Sequence, residues 1–141
     1  MPEGFDPLKQ PESKEKLKKR ILLADDEEMV IIGTETMLNI LGYEVVIVRN
    51  GKELLDKIFS GERFDVVITD NNMPEMNGID ALEQVRKNPE FERLPLILNS
   101  AKEDSSLKER VEKLGVKYLK KPYDGDTLES VLNEIFKDNS K

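Results

Sequence analysis

Five short apolar runs alternate with helical segments along most of this 141-residue chain. The runs are 21–24, 45–48, 66–68, 96–98 and 116–119. Each is short, rich in β-branched or aliphatic residues and bounded by turn residues, as buried strands are. Strands separated by helices run parallel through right-handed crossovers, which puts helices on both faces of the sheet. The pattern predicts an α/β fold of the doubly wound, flavodoxin-like type, with a five-stranded parallel sheet in the order 2-1-3-4-5.

Several residues mark the ends of the predicted helices. Asn50 is typical of a helix N-cap, and Glu53 stands in the capping-box position three residues later. Asp124 is the predicted cap of the last helix. Three other helices stop at a glycine, which adopts the left-handed conformation at low cost: these are Gly42, Gly61 and Gly115.

The sequence divides into three parts. Residues 1–17 contain three prolines and few apolar side chains, which predicts a flexible N-terminal arm. The folded domain is expected over 18–138, followed by a short tail at 139–141.

Composition excludes several classes of function. The chain has no cysteine and no histidine, so it has no disulfide, no Cys/His zinc site and no Ser-His or Cys-His catalytic pair. Its net charge of −7 disfavours nonspecific binding to nucleic acid. No apolar run approaches the length of a membrane span, and the N-terminus lacks a secretory h-region. We therefore expect a cytoplasmic protein that binds neither nucleic acid nor membrane.

Polar side chains follow four of the five predicted strands. In the order 2-1-3-4-5, ligands bind in the crevice outside the carboxyl ends of strands one and three. Those ends carry Asp25, Asp26 and Asp70. Strand four ends in Ser100, and Lys121 follows strand five. The topology therefore predicts that three carboxylates, one hydroxyl and one ammonium converge.

This set of groups suits a phosphoryl group. Clustered carboxylates repel one another, and a hard cation such as Mg²⁺ offsets that repulsion with oxygen ligands. The cation and Lys121 would neutralise phosphoryl oxygens, and the Ser100 hydroxyl would donate a hydrogen bond. Asp70, at the centre of the sheet, is the best candidate for a carboxylate nucleophile, while Asp25 and Asp26 hold the metal. Each residue alone also has an ordinary role, as a helix-terminal acid or a turn residue.

Four motifs together resemble the receiver domain of two-component response regulators, over residues 19–137. They are the acidic pair Asp25-Asp26, the stretch from Asp70 to Gly78, the pair Ser100-Ala101 and the stretch from Tyr118 to Pro122.

The resemblance implies a phosphorelay switch rather than a turnover enzyme. A histidine kinase or histidine phosphotransfer protein would transfer its phosphoryl group to Asp70. The Mg²⁺ ligands would be Asp25, Asp26, Asp70 and the backbone carbonyl of Asn72, with Lys121 on the phosphoryl oxygens. Because the sequence has no histidine, the donor must be another molecule.

The resemblance also implies a conformational output. Ser100 would move to hydrogen-bond the phosphoryl group, and Tyr118 would turn inward. The surface formed by helix four, strand five and helix five would then change and meet an effector. The Lys121-Pro122 bond is expected to be cis, and the chain to be a monomer or a weak homodimer.

Three positions bear on burial in strand four and on the lifetime of the phosphoryl group. Asn99 is polar where the family usually keeps an aliphatic residue, and in a buried strand it needs hydrogen-bond partners. Asn72 and Lys102 occupy positions that tune dephosphorylation in the family. A lysine at 102 would hold the phosphoryl group or obstruct the attacking water, which predicts slow dephosphorylation.

Two other functions share parts of this pattern. An aspartyl-nucleophile, Mg²⁺-dependent phosphatase of the haloacid-dehalogenase type carries a second Asp two residues after the first. That position is Asn72 here, so the general acid is missing. A flavodoxin-type electron carrier needs a Ser/Thr/Gly-rich phosphate loop after strand one, where this chain has four acids, 25–28.

Overall fold

The computed structural model describes residues 18–101 and 105–139. The strands are β1 (Arg20–Ala24), β2 (Glu44–Val48), β3 (Val66–Asp70), β4 (Leu96–Ser100) and β5 (Lys117–Lys120). The helices are α1 (Glu28–Ile40), α2 (Gly51–Ile58), α3 (Gly78–Arg86), α4 (Ser105–Leu114) and α5 (Gly125–Asn139), with a short 3-10 helix at Pro89–Phe91. All strand pairs are parallel and the order is β2-β1-β3-β4-β5, which confirms the predicted fold.

Two apolar layers cover the sheet, one on each face. One face packs against α2, α3 and α4 through residues such as Leu54, Leu82 and Val111. The other packs against α1 and α5 through residues such as Leu38 and Leu132. Every residue of β3 and β4 is buried, whereas β2 and β5 at the edges are partly exposed. Helices on both faces explain why the central strands are continuous apolar runs.

The predicted helix ends are largely confirmed. The Asn50 side chain accepts a hydrogen bond from the Glu53 N–H at 2.8 Å. The Glu53 carboxylate accepts from the N–H of Arg49 at 2.8 Å, one residue before the N–H that a capping box uses. Asp124 accepts from the N–H of Thr127 at 2.8 Å. The three glycines that end helices have positive φ angles: 97° at Gly42, 94° at Gly61 and 68° at Gly115.

The predicted domain bounds of 18 and 138 stay a prediction. The last helix runs to Asn139, one residue beyond the predicted end of the domain. The predicted arm at 1–17 lies outside the described residues. Within the part of the chain that is described, no helix is long and apolar enough to cross a lipid bilayer.

Candidate functional site

Three carboxylates meet at the carboxyl edge of the two central strands. Asp25 directly follows β1, and Asp70 is the last residue of the neighbouring β3. One carboxylate oxygen each from Asp25, Asp26 and Asp70 lies within 4.8 Å of the other two. Asp25 and Asp70 are buried, with 1% and 7% of their surface exposed, while Asp26 is exposed. The predicted convergence of the acids is therefore confirmed as geometry, and their chemical roles stay predictions.

Lys121 brings a positive charge to the same place. Its ammonium nitrogen lies 3.2 Å from Asp25 Oδ2 and 3.2 Å from Asp70 Oδ1. Burial opposes the charged form of Lys121, but the charges of Asp70 and Asp25 outweigh burial and raise its pKa. Burial raises the pKa of Asp70 against the opposing effect of Lys121, and the Asp25 charge raises it further. Repulsion between the carboxylates therefore remains, and the Lys121 ammonium offsets only part of it.

The donor atoms of this cluster fit a hard divalent cation. All three acidic side chains offer oxygen, and neither a thiolate nor an imidazole is available because the chain lacks cysteine and histidine. Mg²⁺ and Ca²⁺ bind carboxylate oxygens, and Mg²⁺ keeps several waters when only a few protein ligands are present. Exposure of Asp26 leaves one side of the cluster open to solvent. The residues could therefore hold such an ion.

The loop after β3 is shaped by contacts that sequence reasoning missed. The Asn71 carbonyl accepts a hydrogen bond from the Gly78 N–H at 2.8 Å, and its side-chain Oδ1 accepts from the Ile79 N–H at 3.0 Å. A Cβ at position 78 would overlap the Asp70 carbonyl oxygen, so only glycine allows this close approach. In the sequence, the only indication of this closed loop is that Asn71 and Gly78 stand at its two ends.

Ser100 and Tyr118 lie on the face of the sheet that α2, α3 and α4 cover. Ser100 is 2% exposed and ends β4; Tyr118 is half-buried on β5 and packs against the core of that face. Tyr118 pairs in register with Leu98, so Ser100 lies two residues further along the adjacent strand. The Ser100 carbonyl accepts from the Lys121 N–H at 3.0 Å. The predicted switch residues are thus diagonal neighbours near the site.

The remaining predictions concern Asn72, Lys102 and the bond between Lys121 and Pro122. Asn72 is exposed in the loop after β3, and its carbonyl remains a predicted ligand. Lys102 lies outside the described residues. The bond between Lys121 and Pro122 is cis, as expected.

Asn99 has only part of the hydrogen bonding that its burial demands. Its side chain is 1% exposed, and its Nδ2 donates to the Tyr123 hydroxyl at 3.3 Å. Its Oδ1 is the one buried side-chain polar atom without a partner among the described residues. The sequence gives no signal for this role of Tyr123, since an aromatic residue after Lys-Pro has no distinctive pattern.

Comparison with known proteins identifies the class. The family model described as "Response regulator receiver domain" matches residues 21–133. The chain therefore belongs to the response regulator receiver domain family of two-component signal transduction. This confirms the resemblance drawn from the motifs.

The relatives of this chain include a chemotaxis protein and a transcriptional regulatory protein. The chain is 31% identical over 122 residues to the chemotaxis protein CheY1 of Helicobacter pylori, covering 85% of this chain and 98% of CheY1. It is 34% identical over 124 residues to the transcriptional regulatory protein CrdR of the same species, covering 87% of this chain but only 57% of CrdR. The chain thus spans little more than half of that relative.

Solved structures agree on the fold. The chemotaxis response regulator CheY4 of Vibrio cholerae matches with a TM-score of 0.76 at 28% identity, over 84% of this chain and 98% of that chain. A CheY-like receiver domain protein from Methanospirillum hungatei matches with a TM-score of 0.78 at 27% identity, over 87% and 98%. This chain is similar to both in its whole described fold.

Proposed function

We propose that this receiver domain accepts a phosphoryl group on Asp70 and acts as a signalling switch. The observation that carries the proposal is the position of the Lys121 ammonium, 3.2 Å from both Asp70 and Asp25, at the edge where three carboxylates meet. Asp70 is the central member of this set, buried at the end of the central strand β3. Because the Asp70 carboxylate is fixed in place beside the Lys121 ammonium, it is well positioned for in-line attack on phosphorus.

The donor is a phosphohistidine of a histidine kinase or a histidine phosphotransfer protein. An Asp70 carboxylate oxygen forms the new bond to phosphorus while the phosphorus–nitrogen bond of the donor breaks. The imidazole leaves with the electron pair of that bond and takes up a proton, and Asp70 becomes an acyl phosphate. The chain itself has no histidine that could serve as the donor.

Mg²⁺ would be held by Asp25, Asp26 and Asp70, together with the backbone carbonyl of Asn72. When bound, it supplies positive charge that neutralises phosphoryl oxygens. Lys121 would contact the phosphoryl oxygens as well, from its place beside Asp70. Asp25, which contacts the Lys121 ammonium, keeps that ammonium in the site while its contact with Asp70 changes.

The output runs through Ser100 and Tyr118 to the surface formed by α4, β5 and α5. Ser100 donates a hydrogen bond to the phosphoryl group, and Tyr118 turns into the space that this movement leaves. The two residues share one face of the sheet, which supports this coupling. An effector protein then recognises the changed surface, and Asn72 and Lys102 set how fast the phosphoryl group is lost.

Incubation with acetyl phosphate and Mg²⁺ tests this function. Intact-mass analysis should show a gain of about 80 Da, the mass of one phosphoryl group. Asp70→Ala should abolish the gain, whereas Asp56→Ala, which removes an exposed carboxylate on α2, should leave it unchanged. Full labelling of the Asp70→Ala protein would overturn the assignment. Continuous release of phosphate without a stable label would favour the alternative, an aspartyl-nucleophile phosphatase.

A further inference from the structure

The Asn99 side chain lies on the same face of the sheet as Asp70, on the adjacent strand. The two residues pair in register between β3 and β4. Ile68 and Ile97, each two residues earlier, belong to the apolar layer under α1 and α5. Because side chains alternate along a strand, Asp70 and Asn99 project toward that side. The Asn99 carbonyl also accepts from the Asn71 N–H at 3.2 Å, next to Asp70.

Burial leaves one atom of the Asn99 carboxamide unsatisfied in either orientation. With Nδ2 on the Tyr123 hydroxyl, Oδ1 has no partner among the described residues. Reversing the amide would instead leave the two N–H donors of Nδ2 facing the same place. A buried polar atom without a partner costs folding free energy, and an aliphatic residue would avoid that cost. Such an exception calls for a functional explanation.

The topology of the sheet makes the side chain of Lys121 a candidate donor. Lys121 follows β5, yet its ammonium reaches Asp70 on β3 and Asp25 beyond β1. Since β4 lies between β5 and β3, the Lys121 side chain must cross the end of β4. Leu119, two residues before Lys121, pairs with Asn99 and faces the same apolar layer. The crossing therefore takes Lys121 over the Asn99 side chain.

We propose that Asn99 is a positioning residue for Lys121 during phosphoryl transfer, a role that rests on the function proposed above. The ammonium must turn from the Asp70 carboxylate toward the incoming phosphoryl oxygens. Asn99 Oδ1 accepts a hydrogen bond from the ammonium in this second position and prevents it from leaving the site. A carboxamide oxygen suits this task because it attracts the ammonium without adding a fourth negative charge to the cluster.

Tyr123 fixes the other end of the carboxamide. Its hydroxyl lies 3.3 Å from Asn99 Nδ2 and 3.5 Å from Thr34 Oγ1 on α1. The phenol is thus held between α1 and β4, two residues after Lys121 in the chain. With Nδ2 engaged by Tyr123, Oδ1 is the end left to meet the ammonium.

A double-mutant cycle between Asn99 and Lys121 tests the proposal. Asn99→Leu keeps the shape of the side chain and removes its polar atoms. In the otherwise unchanged protein it should lower the rate of labelling by acetyl phosphate about tenfold, the effect of one hydrogen bond to a charged group. The Mg²⁺ dissociation constant should change less than about twofold. In the Lys121→Met background, followed over longer incubations, Asn99→Leu should change the residual rate less than about twofold.

Tyr123→Phe provides the second variant. It keeps the carboxamide but releases Nδ2, so the rate should fall about threefold, again only when Lys121 is present. Tyr43→Phe removes the hydroxyl of a half-buried tyrosine that precedes β2, at the amino end of the sheet and away from the site, and is the matched control, with an unchanged rate. Equal losses with and without Lys121 would overturn the proposal, and so would a parallel loss of Mg²⁺ affinity. A wild-type protein that is labelled, with no effect of Asn99→Leu, refutes only this inference; a wild-type protein that is never labelled refutes the proposed function.

Discussion

Removal of the Lys121 ammonium should destabilise the protein when no divalent cation is present. The nitrogen lies 3.2 Å from an oxygen of each of two buried carboxylates. With an effective dielectric constant of about 20, each contact contributes a gross attraction of about 5 kcal/mol. Two carboxylate oxygens that lie within 4.8 Å of each other repel by at least about 3 kcal/mol on the same scale. The ammonium therefore offsets repulsion that would otherwise be uncompensated.

The net effect of Lys121→Met is smaller than these gross terms. The substitution also removes the cost of burying an ammonium, and the acids can take up protons instead. Breaking a buried ion pair by removing one partner typically costs 3–5 kcal/mol, so we expect a loss of about 3 kcal/mol in the free energy of unfolding in EDTA. Saturating Mg²⁺ should reduce this loss to about 1 kcal/mol or less, because the ion binds the folded state and replaces the missing charge.

The assay is urea denaturation at pH 7 with EDTA and with Mg²⁺. At this pH the Lys121 contribution is fully present, because its raised pKa means that the stabilisation is lost only as pH rises through the folded-state value. The loss in EDTA should shrink on acidification, since the pKa of Asp70 is already raised and rises further without Lys121. Lys117→Met is the matched control: its 2.6 Å pair with Glu134 is exposed, and no measurable change is expected.

Two results would refute this reasoning. One is a loss in EDTA no larger for Lys121→Met than for Lys117→Met. The other is a loss of the same size with and without Mg²⁺. Either would mean that repulsion among the acids does not determine the stability of this edge of the sheet.

Three further predictions concern the same site and its loop. Asp26→Ala should weaken Mg²⁺ binding about tenfold by removing one carboxylate ligand, and calorimetric titration that finds unchanged affinity would contradict its role. Gly78→Ala should destabilise the fold by about 2 kcal/mol, because its Cβ meets the Asp70 backbone. Gly33→Ala on α1, where a Cβ meets nothing, should be neutral or stabilising in the same denaturation experiment. Lys102→Ala should shorten the half-life of the aspartyl phosphate, measured by loss of label after removal of acetyl phosphate, and an unchanged half-life would exclude the predicted protection.

Local patterns in the sequence were sufficient for the elements and their order. Asn50 caps α2 because its short side chain reaches the N–H three residues on, a contact that depends on neighbouring residues alone. Gly42 and Gly115 end their helices with positive φ for a similarly local reason. The position of Glu53 three residues after Asn50 is equally local, but its carboxylate accepts from the N–H of Arg49 and not from that of Asn50.

Contacts between distant segments were beyond sequence reasoning. The link from Asn99 to Tyr123 and Thr34 joins three elements, and no spacing in the sequence encodes it. The motif around Asp70 indicated a loop, but not that Asn71 would use both its carbonyl and its side chain to close that loop.

The sequence by itself determined that Asp25, Asp26, Asp70 and Lys121 would meet, because parallel strands joined by right-handed crossovers bring their carboxyl ends to one edge. Only the tertiary structure decided how they meet. Burial of Asp70 and the reach of Lys121 across β4 set the distances and the raised pKa values at this edge. Such quantities depend on how much solvent the packed layers exclude, which is a property of the whole fold and not of any one segment.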